Sequence, residues 1–352
     1  FIGVLNRFRL EPVAFMADIQ AMFYQVRVPE DQRSFLRFLW WDEGNLSSHI
    51  EEYEMCVHLF GAVSSPSISN YALRKTAIDN KECYGKDAAE VIMKNFYVDD
   101  LLKSVSSENY AGELIQRVQS MCAAGGFNLS KFSCISKYVL LCIPEDMRRE
   151  GVKDYDLIKE KLPSERALGV HWNVETDEIG FKVSLKEKKT TKRGMLSMLS
   201  SFYDPLGLAS PFVLKGRKIL QELCQRGLQW DEKIPEDYQR KWEVWKQDLV
   251  QLEKIGLKRC VKPANFGKIV ECSLHNFSDA SELGYGESSY IRLVDEYGKI
   301  HCTLLMGKAR VTPLKFVSIP RLELVAAVLA VKISAQLKRE MGIQVDEENF
   351  WT

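Results

Sequence analysis

Two adjacent carboxylates, Asp99 and Asp100, stand between short apolar stretches at residues 91–93 and 101–102. Apolar stretches on both sides of a short polar tip predict a β-hairpin, with the two carboxylates at its turn. Aspartate is also a common turn residue, because its side chain accepts hydrogen bonds from the nearby backbone. Taken alone, residues 97–100 therefore favour a solvated turn over a functional site, and residues elsewhere have to decide between the two.

The chain of 352 residues is 46% apolar, enough for two or three domains with real cores. Lys plus Arg and Asp plus Glu number 48 each, so any electrostatic attraction to a partner has to be local. Nine cysteines without a C-x-x-C pair favour reduced thiols in an intracellular protein. Cys56 and His58 lack a second ligand pair at zinc-site spacing and are predicted to be core residues. No apolar run is long enough to predict a membrane span.

A third carboxylate, Asp18, follows the apolar residues 13–17, which predict a buried strand with a helical turn beneath it at residues 22–23. A buried Asp needs a partner or a metal ion. Together with Asp99 and Asp100 it forms a set of carboxylates that would repel one another unless divalent cations lay between them, and oxygen-only ligands suit Mg²⁺. Two such ions about 3.5–4 Å apart are the arrangement used in phosphoryl transfer.

The rest of the amino-terminal half predicts alternating strands and helices. Residues 35–41 and 53–59 predict a hairpin, and a small-residue loop at 60–66 leads into a helix over about 66–80. Ser107 is predicted to cap a helix with apolar residues at the helical period, which ends at Gly125.

The carboxyl-terminal half begins with a hairpin pattern at 168–183 and a basic run at 182–193, which fits a solvated face or a phosphate-binding surface equally well. Pro235 opens a long helix whose Trp242 and Trp245 are predicted to be core residues. Residues 256–267 predict a loop and a domain boundary. Strands at 269–279, 284–294 and 300–306 and a helix from Pro320 to about Met341, closed by Gly342, are predicted beyond it.

Three segments then match one known family in the expected order. Residues 17–26 (ADIQAMFYQV), 60–66 (FGAVSSP) and 97–100 (YVDD) resemble the first, second and third palm motifs of reverse transcriptases. In detail, essentially the whole chain resembles the Pol polyprotein of BEL/Pao long-terminal-repeat retrotransposons. Since the chain starts at Phe1 and stops at Thr352 inside a predicted strand, we expect a segment of a longer polyprotein.

This resemblance implies an α+β multidomain fold. Residues 1–165 would form the reverse-transcriptase palm, an antiparallel sheet with helices, together with partial fingers. Residues 166–262 would form the primer-grip hairpin and a helical thumb and connection, and residues 263–352 a truncated ribonuclease H-like α/β domain. The implied activity is RNA-directed DNA polymerisation with two Mg²⁺ ions per active site, or Mn²⁺ in their place. The implied partners are an RNA template, a DNA primer/template duplex and deoxynucleoside triphosphates, in a cytoplasmic retroelement particle without membrane contact.

The resemblance also implies residue roles. Asp18 and Asp99 would bind the two ions with support from Asp100, and Lys131 would protonate the pyrophosphate leaving group. Phe23 would lie under the incoming sugar, where its bulk would exclude a 2′-hydroxyl. Further substrate-binding residues would be Gln25, Phe60, Gly61 and Tyr97, with Leu168 and Gly169 at the primer end, and the nucleic-acid-binding residues would be Lys186, Lys188, Lys189, Lys192 and Arg193.

A second pair of carboxylates, Asp279 and Glu323, resembles two of the metal-binding residues of ribonuclease H, another two-metal phosphodiester enzyme. In that family a further Asp follows a strand that ends in an aromatic residue and Thr, as residues 350–352 do here. A segment that stops at Thr352 and has short fingers before Asp18 would lack parts of both active sites.

Two other readings compete with the polymerase. One is a catalytically dead retroelement remnant, or a protein that only binds nucleic acid. The other is a Pao-type aspartic peptidase over residues 195–323, since that region resembles sequence described in this way. Aspartic peptidases need two Asp-Thr-Gly or Asp-Ser-Gly loops. Neither tripeptide occurs, and Asp204 is followed by Pro205, which favours the thumb and connection.

Overall fold

The structure is a computed structural model, and it describes residues 1–150, 164–183 and 189–352. The chain divides into two compact units. The contiguous unit is Val13–Glu160, and the split unit combines Phe1–Pro12 with Lys161–Thr352. The predicted three-part division at residues 165 and 262 stays a prediction. In the described part of the chain, no helix is long and apolar enough to cross a membrane.

The secondary structure mixes helices and strands throughout. In the described residues the helices are α1 (Ile2–Phe8), α2 (Glu30–Arg33), α3 (Ser65–Tyr84), α4 (Lys86–Asn95), α5 (Glu108–Ala124), α6 (Lys137–Leu141), α7 (Lys192–Ser201), α8 (Ser210–Gln225), α9 (Glu236–Gln251) and α10 (Ile319–Met341). The strands are β1 (Val13–Ile19), β2 (Arg37–Trp41), β3 (Ile50–Glu54), β4 (Phe96–Tyr97), β5 (Asp100–Val105), β6 (Leu129–Cys134), β7 (Ser164–Ala167), β8 (Val170–Asn173), β9 (Glu178–Gly180), β10 (Gly256–Lys258), β11 (Ile269–Ala280), β12 (Gly284–Asp295), β13 (Ile300–Val311) and β14 (Glu347–Trp351).

The contiguous unit is built on an antiparallel sheet with the strand order β4-β5-β1-β6. The central strand β1 is apolar and buried along its whole length except at Asp18, as its sequence predicts. A 3₁₀ turn at Met22–Gln25 follows it, which confirms the predicted helical turn. Helices α4 and α5 contact strand β5, and α5 also packs against α3. The predicted cap of α5 is confirmed, because the Ser107 side chain accepts a hydrogen bond from the Tyr110 amide and the helix ends before Gly125.

Three details of this unit differ from the sequence-based prediction. Residues 91–93 are helical within α4 rather than extended, because Ala88, Val91, Ile92 and Asn95 recur at helical spacing and form its buried face. Only the two residues of β4 therefore precede the acidic turn. Strand β3 begins before the predicted residues 53–59, and Cys56 is exposed although His58 is buried as expected.

Within the split unit, the part of the chain from β7 to β10 contains an antiparallel sheet with the order β10-β9-β8-β7 and the helices α7, α8 and α9. The helices share a core that includes Met195, Leu223, Trp242 and Trp245, which confirms the two tryptophans as core residues. Residues 256–258 form strand β10 instead of the predicted loop, because they pair with β9.

The carboxyl-terminal part of the split unit is a second sheet with the order β13-β12-β11-β14. Strand β14 runs parallel to β11, and the other neighbours are antiparallel. Helix α10 packs on this sheet and contributes Ile333 and Leu337 to a core with Leu274, Ile291 and Leu293. The predicted strands and the helix are confirmed, and α10 ends at Gly342, whose φ of 69° is left-handed.

Two buried arginines join the first twelve residues to the rest of the split unit. The Arg259 side chain is fully buried and donates hydrogen bonds to the backbone carbonyls of Phe8, Glu11 (3.0 Å) and Pro12 (2.9 Å). The same guanidinium forms two hydrogen bonds with the Asp177 carboxylate, at 2.6 and 2.8 Å. Arg9 donates to carbonyls of strand β13. Burial and the nearby Arg259 charge lower the pKa of Arg9 to about 10.

Candidate functional site

Asp18, Asp99 and Asp100 meet at one end of the sheet of the contiguous unit. Asp18 lies near the end of β1 and pairs directly with Asp100, the first residue of the neighbouring strand β5. Asp99 lies in the loop between β4 and β5, and its carbonyl accepts a hydrogen bond from the Ile19 amide at 2.9 Å. The two strand ends therefore bring Asp18 together with the adjacent Asp99 and Asp100, although Asp18 and Asp99 lie 81 residues apart in sequence.

The loop that carries Asp99 has a strained backbone. Tyr97 pairs with Asp100, so the connection is a two-residue turn made of Val98 and Asp99. Val98 has a φ of 58°, whereas glycine is the usual residue with a positive φ at the first loop position of a hairpin. A β-branched residue in this conformation costs about 1–3 kcal/mol and persists only where the surrounding structure imposes it. The sheet thus fixes the position of Asp99 at the expense of local strain.

A β-bulge directs Lys131 toward the same end of the sheet. The pairing of β1 with β6 shifts register between Met16 and Asp18, and Lys131 opposite this shift has a φ of 55°. Its Nζ lies 3.0 Å from the Asp18 Oδ1. Bulges of this kind re-aim side chains next to active sites. Because the Lys131 side chain is half exposed, the ion pair adds little stability and mainly positions a positive charge.

Burial and mutual repulsion perturb the acidic turn. Burial, followed by repulsion from Asp99 and Asp18, raises the pKa of Asp100 to about 6, although Arg149 and Lys131 oppose the shift. Burial also raises the pKa of Asp99, with a contribution from the Asp18 charge. Carboxyl groups with raised pKa values near neutral pH are typical of functional sites. Burial and the neighbouring carboxylates thus favour the protonated form of Asp100.

The raised pKa of Asp100 predicts a pH dependence of stability. The folded pKa of Asp100 lies above its unfolded value of about 3.9, so the folded state binds the proton more tightly. The free energy of unfolding should therefore fall by about 1–2 kcal/mol as the pH rises from about 4 to 6, with allowance for partial exposure. Urea unfolding across this range measures the fall. The variant Asp100→Asn should abolish it, while Asp79→Asn at an exposed ion pair should not.

The donor chemistry of this site fits a hard divalent cation such as Mg²⁺, because every ligand is a carboxylate oxygen. The positions of these carboxylates fit a bound cation less well than their chemistry does. In the residues that the structure describes, no three His, Cys, Asp or Glu side chains converge closely enough to hold a metal ion. The Asp18 carboxylate is instead turned to Lys131. Asp18, Asp99 and Asp100 would hold an ion only after Asp18 exchanged this partner.

The remaining predicted residues of the contiguous unit lie on nearby loops. Phe23 is buried, and its ring centroid lies 4.8 Å from that of Phe60, which is itself mostly exposed. Gly61 follows with a φ of 94°, and a Cβ there would meet no atom within 4 Å. The Gln25 side chain donates to the Ala21 carbonyl, and Tyr97 is 44% exposed. The structure thus brings Phe23, Phe60 and Gly61 together, and their substrate roles stay predictions.

The predicted site residues of the split unit between 168 and 193 are the turn residues Leu168 and Gly169 and the basic run. Leu168 and Gly169 form the turn between β7 and β8, both with positive φ, and the Tyr203 ring packs under Gly169. Lys186 and Lys188 lie outside the described residues, and Lys189 is exposed.

Two members of the basic run are already engaged within the protein. Lys192 is only 6% exposed, and its Nζ lies 5.0 Å above the Trp230 ring. Arg193 forms two hydrogen bonds with the Asp231 carboxylate, at 2.8 and 3.0 Å. Lys192 is thus packed within the protein, Arg193 is paired at the surface, and the nucleic-acid-binding role of the basic run stays a prediction.

Asp279 and Glu323 lie on the elements predicted for them, strand β11 and helix α10. Asp279 lines a groove of about 770 Å³ with Lys308 and residues at the start of α8. The Asn276 side chain bonds to Ser334 of α10, so alternation along β11 points Asp279 to the opposite face of the sheet. Glu323 is exposed on α10 and does not line this groove. Their shared role stays a prediction.

The neighbouring strand β12 carries Glu287, a buried acid that was missed in the sequence. The alternation of residues along β12 is a sequence signal that could have identified Glu287. Residues 287, 289, 291 and 293 alternate along β12 on its buried face, and a Glu at such a position needs an explanation.

Comparison with known proteins agrees with this architecture. Residues 191–352 match the family described as the Pao retrotransposon-like RNaseH-like domain. The resemblance to a Pao-type retrotransposon Pol polyprotein is confirmed. No curated protein matches the chain in sequence.

Two solved structures of foamy viral enzymes share the fold. The protease-reverse transcriptase in complex with an RNA/DNA hybrid has a TM-score of 0.58 and 15% identity, over 98% of this chain and 39% of that chain. The dRH form in complex with double-stranded DNA has a TM-score of 0.58 and 14% identity, over 98% and 51%. The chain thus has a mixed α/β fold that resembles these two enzymes, and it spans about two fifths to half of their length.

Proposed function

We propose that the chain is the catalytic part of an RNA-directed DNA polymerase of a retrotransposon, and that it extends a primer by two-metal nucleotidyl transfer. The contiguous unit is the palm, and the split unit supplies the thumb, the connection and a ribonuclease H-like domain. The observation that carries this proposal is the meeting of Asp18, Asp99 and Asp100 at adjacent strand ends, with Lys131 aimed at them by a bulge.

Each residue of this cluster has a chemical role. Asp18 and Asp99 would hold the divalent ions, and Asp100, whose pKa is raised to about 6, would support them from the adjacent strand position. When bound, such ions supply positive charge that stabilises the negative charge on the attacking and leaving oxygens. Lys131, which pairs with Asp18 in this structure, would exchange that partner for the pyrophosphate and donate a proton to it. The strained turn keeps Asp99 in place, so Asp99 itself needs no reorganisation during the reaction.

The proposed partners are an RNA template, a DNA primer/template duplex and deoxynucleoside triphosphates. Support comes from the two foamy viral enzymes, which are complexes with an RNA/DNA hybrid and with double-stranded DNA. Phe23 lies beside Phe60, where its bulk would meet the sugar of an incoming nucleotide. A cytoplasmic retroelement particle is the proposed location.

Primer extension on an RNA template tests the polymerase. Purified protein should lengthen a labelled DNA primer in the presence of all four nucleotides and Mg²⁺ or Mn²⁺. Omission of one nucleotide should stop the product at the first template position that requires it. A protein that binds the primer/template in a filter assay without any extension would instead favour a catalytically dead remnant.

A second candidate function is hydrolysis of RNA in an RNA/DNA hybrid. The family match over residues 191–352 and the position of Asp279 in a wide groove favour it. Cleavage of a labelled hybrid, with the same RNA as a single strand for comparison, measures this activity. Cleavage that persists in the variant Asp279→Asn would contradict the role of this residue.

A peptidase site at Asp204 is disfavoured by the contacts of its carboxylate. Its two oxygens accept hydrogen bonds from the amides of Leu208 (2.9 Å) and Ala209 (2.8 Å), just before α8. Burial raises the pKa of Asp204, and these amides oppose the shift. The residue therefore acts as a structural cap of this turn, whereas an aspartic peptidase needs a carboxyl shared with a second one.

A further inference from the structure

A buried glutamate on strand β12 has one oxygen without a hydrogen-bond partner. Glu287 is 7% exposed and lies on the face of the sheet that α10 covers. Its Oε2 lies 2.8 Å from the Ser289 hydroxyl. Its Oε1 is buried and has no hydrogen-bond partner in the part of the chain that the structure describes. A carboxylate in this position would keep a buried charged oxygen without a hydrogen bond, which is costly.

Glu287 begins a chain of hydrogen bonds that crosses the sheet. The Ser289 hydroxyl also lies 2.8 Å from the Asn276 Oδ1 on β11. The Asn276 Nδ2 donates to the Ser334 hydroxyl on α10 (3.2 Å) and to the Asn349 carbonyl on β14 (3.3 Å). Ser334 in turn donates to Glu348 on β14, which also accepts a hydrogen bond from Lys338. The chain therefore ties β12, β11 and α10 to strand β14.

The number of hydroxyl protons available at Ser289 decides which group donates in each hydrogen bond of this chain. Ser289 has one hydroxyl proton, but it lies within hydrogen-bond distance of two acceptors, the Glu287 carboxyl and the Asn276 side-chain oxygen. Both contacts can be hydrogen bonds only if Glu287 supplies the second proton. A neutral Glu287 donates to Ser289, Ser289 donates to Asn276, and each of the two Asn276 amide protons and the Ser334 hydroxyl proton then has one acceptor. An ionised Glu287 would compete with Asn276 for the single Ser289 proton.

We infer that Glu287 is held as a neutral carboxylic acid, and that its proton is a pH-sensitive latch that keeps strand β14 docked on β11 and α10. When the pH rises, Glu287 loses this proton to water, Ser289 turns to the new carboxylate, and the Asn276 oxygen loses its donor. The same elements carry Asp279 and Glu323, but the latch does not depend on the proposed function.

The surroundings of Glu287 agree with this direction. Burial raises its pKa to about 7, while the Ser289 hydrogen bond and the Lys308 charge on β13 oppose the shift. Beneath it, α10 presents Ala326, Ala330 and Ser334 to the sheet. Strand β11 presents Ser278 and Asn276 on this face. Because the folded pKa exceeds the unfolded value of about 4.3, the stabilisation is present at low pH and is lost as the pH rises through about 7.

Hydrogen exchange of the β14 amides tests the latch. Exchange is followed by mass spectrometry or NMR from about pH 5.5 to 8.5 and corrected for the intrinsic pH dependence of amide exchange. In the wild type, protection of β14 should fall roughly 10–100-fold across this range, because the lower end of the range lies above the unfolded pKa of Glu287 and only part of the linkage is sampled. The variant Glu287→Gln keeps a donor toward Ser289 and should remain protected throughout. The control Glu271→Gln, at a partly exposed ion pair on β11, should show the wild-type fall.

Two outcomes would overturn the inference: constant protection in the wild type, or the same fall in Glu287→Gln. If that variant does not fold, Ser289→Ala provides the second test. It removes the group that receives the proton, so protection at pH 5.5 should already equal the wild-type value at pH 8.5. Full protection of Ser289→Ala at low pH would equally contradict the latch.

Discussion

Replacing Asp99 with asparagine should abolish primer extension, with a rate at least roughly a thousandfold below that of the wild type. The size follows from charge stabilisation by a metal ion, which supplies several kcal/mol at the transition state. Asparagine fits the same turn and retains one oxygen, but it removes a negative charge from a set that is already crowded with carboxylates. The fold should therefore be kept or slightly stabilised, since repulsion with Asp18 and Asp100 decreases.

The control for this experiment is Asp79→Asn, which makes the same chemical change at an exposed helix position. It should extend the primer at the wild-type rate. Thermal unfolding of both variants separates a loss of chemistry from a loss of structure. Equal extension by Asp99→Asn and the wild type would remove Asp99 from the proposed site, whatever the activity of the chain.

The largest expected effect on stability comes from Arg259. The variant Arg259→Ala should lower the free energy of unfolding of the split unit by about 3–5 kcal/mol, because it leaves a carboxylate and three backbone carbonyls without their buried donor. Arg259→Lys should also destabilise, since a single ammonium group cannot reproduce the two parallel bonds to Asp177.

The neighbouring residue Lys258 provides a matched control. Its Nζ lies 2.9 Å from the Glu178 carboxylate, but the side chain is 70% exposed. The variant Lys258→Ala should therefore cost less than about 1 kcal/mol. Denaturant unfolding followed by tryptophan fluorescence compares the two, because Trp172 packs edge-on against Phe8 near this cluster. Equal stabilities of the two variants would contradict the central role of Arg259.

Elements with a strong local signal could be predicted from the sequence alone. The cap at Ser107, the stop at Gly342 and the buried pair Trp242 and Trp245 each depend on residues close in sequence, and the structure confirms them. The meeting of Asp18 with the acidic turn was predictable for another reason. Three segments resemble the palm motifs of reverse transcriptases in the expected order, and this resemblance implied that the carboxylates meet.

Other features depend on packing that a sequence does not display. The apolar residues 91–93 fit a strand or a helix, and only the buried face of α4 selects the helix. The sequence shows Lys192 as part of a basic run, but it does not show that the Trp230 ring packs against this side chain. Asp279 and Glu323 both occupy their predicted elements, yet the alternation along β11 turns Asp279 away from the helix of Glu323. A side-chain direction of this kind follows from the register of a whole sheet.

The split composition of the second unit sets an order for folding during synthesis. Arg9 bonds to Leu305, which the ribosome adds 296 residues later. At ordinary translation rates this separation corresponds to a delay of roughly 15–60 s. The contiguous unit can fold during this interval, whereas the first twelve residues must wait without their partners. Formation of the split unit should therefore be slower than that of the contiguous unit, because its contacts join residues that lie far apart in sequence.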